Sequence, residues 1–259
     1  MEQNRIKVGI TQGDVNGIGY EVILKTFEDP EMLELCTPII YGSPKIMTYH
    51  RKALNLETSF SIINSASEAQ HGRINVVNCN DDEVKVELGK ASKESGKAAF
   101  DALEKAMTEY KENRYDVLVT APIHKQMIQS EGFTFPGHTE YIEKSVGEGA
   151  KALMILASDR LRVALVTGHI PVAKVASVLT KELIEEKIQL FDASLKADFG
   201  INGPRIAVLS LNPHAGDGGV IGTEEEAIIA PAIKAMRDQG ILCYGPYPAD
   251  GFFGNGTFS

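Results

Sequence analysis

The sequence has 259 residues, 43% of them hydrophobic and 24% charged, which is the ordinary composition of a globular protein with a sizeable core. Its formal net charge of −9 argues against a nucleic-acid-binding surface, and no apolar run near the N-terminus is typical of a signal peptide or a membrane span. The three cysteines show no CxxC spacing and are typical of reduced thiols. We therefore expect a cytoplasmic protein.

The first part of the chain alternates predicted strands and helices. Strands are predicted at residues 6–11, 37–42, 59–63, 73–78 and 115–120, and helices from about 20, from 44 to 54 and from 95 to 110. The loop after the first strand has the spacing G-x3-G-x-G, which is not the dinucleotide fingerprint G-x-G-x-x-G. By itself this loop is equally consistent with plain turn chemistry. His124 is interpreted as a solvated loop residue.

The second part continues with two adjacent apolar runs, 152–157 and 161–167. The tight turn between them predicts antiparallel pairing, because a parallel return needs a longer crossover. Thr180 is predicted to cap a long helix, a strand follows at 206–211, and Thr223 with Glu226 is predicted to cap the next helix. Pro231 should kink or divide that helix, and the last predicted strand is 241–244.

Two histidines, His169 and His214, each follow an apolar strand in a context of small residues. Ligands of open α/β sheets bind at the carboxyl ends of strands, and imidazole suits zinc, cobalt, nickel and iron. The alternative is a pair of buried histidines bonded to backbone groups. A two-histidine metal site needs at least one more protein ligand. That ligand would come from elsewhere in the fold, from a partner chain, or from residues after Ser259.

Residues 245–259 form a glycine-rich loop, with no helix or charged tail after the last predicted strand. From this pattern we expect the sequence to be cut short at its C-terminus.

Six segments, in order, carry a family resemblance: ITQGDVNGIGYEV, VTAPIHK, FPGHTEYI, LRVALVTGHIPV, LNPHAGDGGVIGTEE and GPYPAD. Together they span essentially the whole chain, which resembles the 4-hydroxythreonine-4-phosphate dehydrogenase family of vitamin B6 biosynthesis. Val15 and Tyr20 stand where the family often has proline, and His124 where asparagine is usual. These departures leave the substrate preference open.

The resemblance implies an NAD-dependent oxidation of 4-phosphooxy-L-threonine at its 3-hydroxyl, followed by decarboxylation to 3-amino-2-oxopropyl phosphate. It also implies a divalent metal, either zinc or else magnesium or cobalt. A metal bound by the substrate hydroxyl lowers the pKa of that alcohol while hydride passes to NAD.

The resemblance also implies residue roles. His138 and Thr139 would contact the phosphorylated amino-acid substrate, and His169 and His214 would be two of three metal ligands. The third metal histidine of the family lies in a His-Asp-Gln-Gly motif expected beyond Ser259, followed by substrate-binding Lys, Asn and Arg. Asp250 is a candidate carboxylate that either supports a metal ligand or handles a proton, and a helix-capping or turn role is at least equally open for it. No residue is assigned to NAD binding.

The fold implied by the resemblance is a two-lobed α/β/α subunit with a mixed sheet, similar to isocitrate and isopropylmalate dehydrogenases and unlike a Rossmann domain. Residues 1–259 would form one family unit of two interleaved lobes with the active site in the cleft. The subunit would be one half of a homodimer with shared active sites, and we expect no membrane or nucleic-acid partner. A chain that ends at Ser259 is expected to lack dehydrogenase activity.

Three alternatives remain open from the sequence. The first is a paralogue that acts on another phosphorylated hydroxy acid, such as 4-phospho-D-threonate. The second is a phosphate acyltransferase on the related fold, which would use no NAD. The third is a truncated, non-catalytic product that only associates with partners.

Overall fold

The computed structural model describes residues 5–79, 84–130, 132–147, 149 and 151–255. The chain divides into two compact units, Met1–Lys151 and Ala152–Ser259, called unit 1 and unit 2 below. None of the helices in the described ranges is long and apolar enough to cross a membrane.

Unit 1 is built on a parallel sheet of five strands in the order β3-β4-β2-β1-β5. The strands are β1 Ile6–Thr11, β2 Cys36–Gly42, β3 Phe60–Ile63, β4 Ile74–Asn78 and β5 Val117–Thr120. The central strand β2 is buried along almost its whole length, as expected of a β-branched run covered on both faces. The strands predicted in this part of the chain are thus confirmed to within two residues.

The helices of unit 1 begin where the sequence supplies N-cap residues. Ser43 accepts a hydrogen bond from the amide of Ile46 at 3.3 Å, and Pro44 occupies the first turn, where its missing N–H costs nothing. The helices are α1 Gly19–Thr26, α2 Met32–Leu35, α3 Pro44–Ala53, α4 Lys93–Lys111 and α5 His138–Val146. The sequence did not predict α5, since its N-cap residue, Gly137, makes no side-chain hydrogen bond.

Strand β1 is the point at which the chain reverses direction across the sheet. The chain runs from β1 to β2 on one side and later reaches β5 on the other side of β1. In open α/β sheets, such a switch point opens a crevice between the loops that follow the two diverging strands. The fold therefore predicts a ligand site beside the loops that follow β1 and β5.

Unit 2 contains two separate two-stranded sheets. Strands β6 Ile155–Ala157 and β7 Arg162–Ala164 pair antiparallel, as their tight turn predicted, and β8 Ile206–Leu209 pairs with β9 Cys243–Tyr247 in parallel. The helices are α6 Val175–Val178, α7 Lys181–Ala197, α8 Ala230–Asp238 and α9 Ala249–Phe252. Parallel and antiparallel pairing thus both occur in the described strands, but in different sheets.

The main local difference from the sequence prediction precedes α8. Residues Glu225–Ile229 form a π-helix, and no side chain caps its start, so the predicted Thr223–Glu226 capping box does not form. Pro231 lies in the first turn of α8, where the π-helix gives way to α-helix, so it does divide the predicted helix. The last strand, β9, begins two residues later than predicted and extends to Tyr247.

Candidate functional site

In unit 1 the loops after β1 and β5 touch directly. The amide of Asp14 donates to the carbonyl of Pro122 at 2.9 Å. Gly13 has φ +70°, and a Cβ at that position would lie 2.4 Å from the same carbonyl oxygen. Only glycine fits this position without strain, so the glycine-rich loop is needed for the close approach of the two loops.

A buried polar network anchors the loop after β1. The Tyr20 hydroxyl donates to Oε1 of Gln12 and accepts from the amide of Ser43 at 2.8 Å. Gln12 Nε2 donates to the carbonyl of Ala98 at 2.9 Å. Burial raises the pKa of Tyr20, which keeps its hydroxyl neutral. Tyr20, one of the departures from the family pattern, is therefore a structural residue here.

His138 and Thr139 form the first turn of α5, and both are half-buried. Burial lowers the pKa of the His138 imidazole, and the charge of Lys125 lowers it further. Nε2 of His138 is buried, and no hydrogen-bond partner for it lies among the described residues. The start of α5 thus holds a neutral imidazole and a hydroxyl close to a cation.

His124 lies in the loop after β5, as interpreted from the sequence, and its side chain is half-buried. Its carbonyl accepts from the amides of Met127 and Ile128 at 3.0 and 3.1 Å, and its Nδ1 accepts weakly from Met127 at 3.4 Å. These contacts belong to the local turn that follows β5, so His124 has a structural role there.

In unit 2, His214 lies in a short 3-10 turn, Pro213–Gly216, beyond the end of β8. Its backbone is left-handed, with φ 52° and ψ 29°, and its side chain is 71% exposed. Nδ1 of His214 lies 2.6 Å from Oδ2 of Asp250. In a neutral imidazole, a proton on Nδ1 that is donated to Asp250 leaves the Nε2 lone pair available for a ligand.

Asp250 lies in the first turn of the short helix α9. The sequence left it open whether this carboxylate acts on the chemistry or serves a turn. Its contact with His214 matches the carboxylate–histidine pairs that orient metal-binding imidazoles. The position at the start of a helix is compatible with that contact, so the two roles do not exclude each other.

His169 follows β7 and also has a left-handed backbone, with φ 54°. Its side chain is exposed, like that of His214. The alternative of two buried histidines bonded to backbone groups is therefore wrong for both residues. No cluster of three His, Cys, Asp or Glu side chains suited to a metal occurs within the described part of the chain.

Glu225 closes the segment LNPHAGDGGVIGTEE but was not predicted as a functional residue, and it supports the loop that carries His214. Its side chain is 3% exposed, and Oε1 accepts from the amides of Leu211 and Asn212 at 2.9 and 2.7 Å. Burial raises its pKa, but the hydrogen bonds from Asn212 and Leu211 outweigh burial and hold the pKa below its ordinary value. Three consecutive glutamates stand at 224–226, and the sequence carries no signal that singles out the middle one.

Unit 2 also has an apolar cleft of about 900 Å³. Strands β7 and β8 line it, and each of them pairs with a single partner among the described strands. Neither His169 nor His214 lines this cleft, so we assign no chemistry to it.

Comparison with known proteins gives a consistent result. The model of the family described as "Pyridoxal phosphate biosynthetic protein PdxA" matches residues 34–259. The 4-hydroxythreonine-4-phosphate dehydrogenase of Bacteroides thetaiotaomicron is 65% identical over 259 residues, which are 100% of this chain and 71% of that protein. A protein of Oceanobacillus iheyensis, provisionally named a D-threonate 4-phosphate dehydrogenase, is 34% identical over 95% of this chain and 75% of its own length.

Among solved structures, the 4-hydroxythreonine-4-phosphate dehydrogenase of Klebsiella pneumoniae superposes with a TM-score of 0.84 at 28% identity. The superposition covers 98% of this chain and 77% of that one. The predicted fold class is thereby confirmed, since the described α/β architecture is that of these dehydrogenases.

Proposed function

We propose that this chain, which belongs to the PdxA family of pyridoxal phosphate biosynthetic proteins, oxidises 4-phosphooxy-L-threonine at the 3-hydroxyl. Loss of the carboxylate as carbon dioxide then yields 3-amino-2-oxopropyl phosphate. The 65% identity to a 4-hydroxythreonine-4-phosphate dehydrogenase supports this reaction. The structural observation that carries the proposal is the exposed His214 ring held by Asp250 beyond the end of β8.

The described residues fit a divalent metal in part. His169 and His214 are exposed nitrogen donors, and the Asp250 contact leaves Nε2 of His214 free to bind a borderline metal such as zinc. Because no group of three metal-ligand side chains occurs in the described part of the chain, we propose that at least one further ligand lies outside it. When bound, the metal would lower the pKa of the substrate hydroxyl and stabilise the new carbonyl oxygen.

The residues at the start of α5 suit an anionic substrate. We propose that His138 and Thr139 hydrogen-bond the substrate, with the charge of Lys125 and the helix N-terminus favouring its negative groups. A neutral imidazole at pH 7 can both donate and accept a hydrogen bond, which the lowered pKa of His138 ensures. His138 would thus orient the substrate and carry no charge of its own.

The proposal includes NAD as the hydride acceptor, a homodimer as the active assembly, and the cytoplasm as the location. The dehydrogenase names of the relatives support a nicotinamide cofactor. The homodimer and the cytoplasm are what the family resemblance and the sequence composition imply, and the dimer would bring groups of one subunit to the site of the other. A second substrate, 4-phospho-D-threonate, stays in consideration because a relative named for D-threonate 4-phosphate matches 95% of the chain at 34% identity. The much higher identity to the Bacteroides protein favours 4-phosphooxy-L-threonine.

NADH absorbance in the full-length protein tests the proposal. The assay uses a panel of phosphorylated hydroxy acids, including both candidate substrates, with and without added zinc, magnesium or cobalt. We expect turnover of 4-phosphooxy-L-threonine that depends on the metal. His214→Ala should lose most activity and most bound metal. A residue that binds the metal directly should matter more than the residues that orient it, whose loss costs about 10- to 100-fold.

His71→Ala is the matched control, since His71 is an exposed histidine of unit 1 beside Thr37, and it should retain activity. Turnover of only the D-threonate compound would move the chain to the paralogous function. No NADH with any acid, metal present, would favour the acyltransferase alternative. Wild-type metal content in His214→Ala would remove the metal-binding role of that residue.

A further inference from the structure

His214 and Ala215 both have left-handed backbones, with φ 52° and 54°. Residues other than glycine adopt this conformation at a cost, and it persists only where surrounding contacts dictate it. Some feature of the fold must therefore hold the loop that starts at Asn212. The contact of His214 with Asp250 holds the ring but does not reach the backbone at the start of the loop.

Glu225 makes the contacts that hold the start of the loop. Its Oε1 accepts from two consecutive backbone amides, Leu211 at 2.9 Å and Asn212 at 2.7 Å. Its Oε2 accepts from Nδ2 of Asn212 at 2.9 Å. Oε2 of Glu224 accepts from the same Nδ2 at 2.8 Å. Glu225 thus clamps the two backbone amides and shares the side chain of Asn212 with Glu224.

The far side of the loop also closes on this carboxylate. Gly216, with φ +79°, is buried, and a Cβ there would lie 2.8 Å from Oε2 of Glu225. The loop therefore wraps around the buried carboxylate, from Leu211 on one side to Gly216 on the other. His214 lies between these two ends, in the exposed part of the loop.

The local helix geometry places Glu225 under the loop. Glu225 opens the π-helix Glu225–Ile229, a rare geometry that occurs mostly as single-turn bulges and often at functional sites. Its neighbour Glu226 is exposed, whereas Glu225 is buried. None of the described Lys or Arg side chains forms an ion pair with Glu225, so backbone and amide N–H groups are what satisfy its charge.

We propose that Glu225 is a positioning residue that sets the His214 imidazole for metal binding by clamping Leu211 and Asn212. This inference rests on the proposed metal-binding role of His214. It assigns the preorganisation of the loop to the buried carboxylate of Glu225, the last residue of the segment LNPHAGDGGVIGTEE.

The test measures metal affinity in the full-length protein, by titrating the apo-protein with Co²⁺ and following its visible absorption band. Glu225→Ala should weaken affinity about 100-fold, and Glu225→Gln about 10-fold, the range typical when groups that orient a ligand are changed. Glutamine keeps an oxygen that accepts from the backbone amides of Leu211 and Asn212. Its NH₂ group, however, faces the side-chain NH₂ group of Asn212, so two donors meet there. Partial rescue by glutamine is therefore the signature of the clamp.

Two controls separate this role from simple unfolding. Glu226→Ala removes an exposed carboxylate of the same segment and should change the affinity less than twofold. Urea denaturation of each apo-variant shows whether it is folded, and Glu225→Gln should remain folded while its Co²⁺ affinity falls.

The metal affinities of the Glu225 and His214 variants distinguish the clamp from the metal-binding role of His214. Wild-type Co²⁺ affinity in folded Glu225→Gln and Glu225→Ala overturns the clamp, while a loss of affinity in His214→Ala would leave the metal-binding role of His214 standing. Wild-type affinity in His214→Ala overturns both. Equal losses in Glu225→Ala and Glu226→Ala would also overturn the clamp, because a general charge effect would then explain them.

Discussion

Two loops at strand ends, one in each unit, show two different ways of holding chemistry-bearing residues. The loop after β1 is buried and is fixed by a polar network, with Gln12 and Tyr20 fully enclosed. The loop after β8 carries an exposed His214 and is fixed from below by the buried carboxylate of Glu225. Changes in the first loop should therefore cost folding stability, and changes around the second should cost ligand binding.

The largest expected effect is on the buried loop. Gly13→Ala should lower the free energy of unfolding by about 3 kcal/mol, because it combines left-handed strain with overpacking against the Pro122 carbonyl. Urea denaturation measures this change. Gly72→Ala is the matched control, because Gly72 has a similar φ of +74° but no atom within 4 Å of an added Cβ.

The Gly72 variant should lose only about 1 kcal/mol from the backbone strain. Equal losses at Gly13 and Gly72 would show that contact between the loops after β1 and β5 contributes nothing to stability.

The second effect concerns the exposed loop. Asp250→Asn should weaken metal affinity about 10- to 100-fold, since the amide no longer accepts from His214 as a carboxylate does. The free energy of unfolding should change by less than about 0.5 kcal/mol, because the Asp250 side chain is 43% exposed. Co²⁺ titration measures the metal affinity, and urea denaturation of the same samples measures the free energy of unfolding. A large loss of stability with unchanged affinity would reverse the contrast between the two loops.

A smaller effect is expected at Tyr20. Tyr20→Phe removes the hydroxyl that links Gln12 to Ser43 and should cost about 1–2 kcal/mol of folding stability. The cost is limited because the Ser43 amide also donates to Oε1 of Gln12 at 3.1 Å. Tyr49→Phe, at a 46% exposed tyrosine, is the control and should be nearly neutral. A neutral Tyr20→Phe variant would mean that the buried network does not anchor the loop.

The smallest effect is a shift in titration at the start of α5. His138 should titrate below the ordinary imidazole value of 6.5, and Lys125→Gln should raise its pKa, because removing the positive charge favours protonation. The folded state then binds fewer protons than the unfolded state, so the His138 contribution to stability is intact above pH 6.5 and declines as the pH falls below it.

NMR titration of the imidazole protons measures this shift, with Lys52→Gln as an exposed lysine control in the same unit. An unchanged His138 pKa in Lys125→Gln would show that burial alone lowers it.

The sequence by itself determined the strands of unit 1, the capped helices and the family. Apolar runs predicted the strands of unit 1 to within two residues, and Ser43 and Thr180 predicted the helices that they cap. These signals are local, because a buried strand or an N-cap depends on residues that are close in the chain. The six ordered motifs predicted the dehydrogenase family, which the comparisons confirm. The roles assigned to His138, Thr139, His169, His214 and Asp250 stay predictions.

Only the tertiary structure decided which side chains meet. The 2.6 Å contact of His214 with Asp250 joins residues 36 positions apart, and the clamp of Glu225 on Asn212 depends on a π-helix that replaces the predicted capping box. The burial of His138 beside Lys125 likewise depends on α5, which has no side-chain cap to reveal it. Such contacts depend on backbone geometry summed over many residues, and local propensity and spacing do not encode that geometry residue by residue.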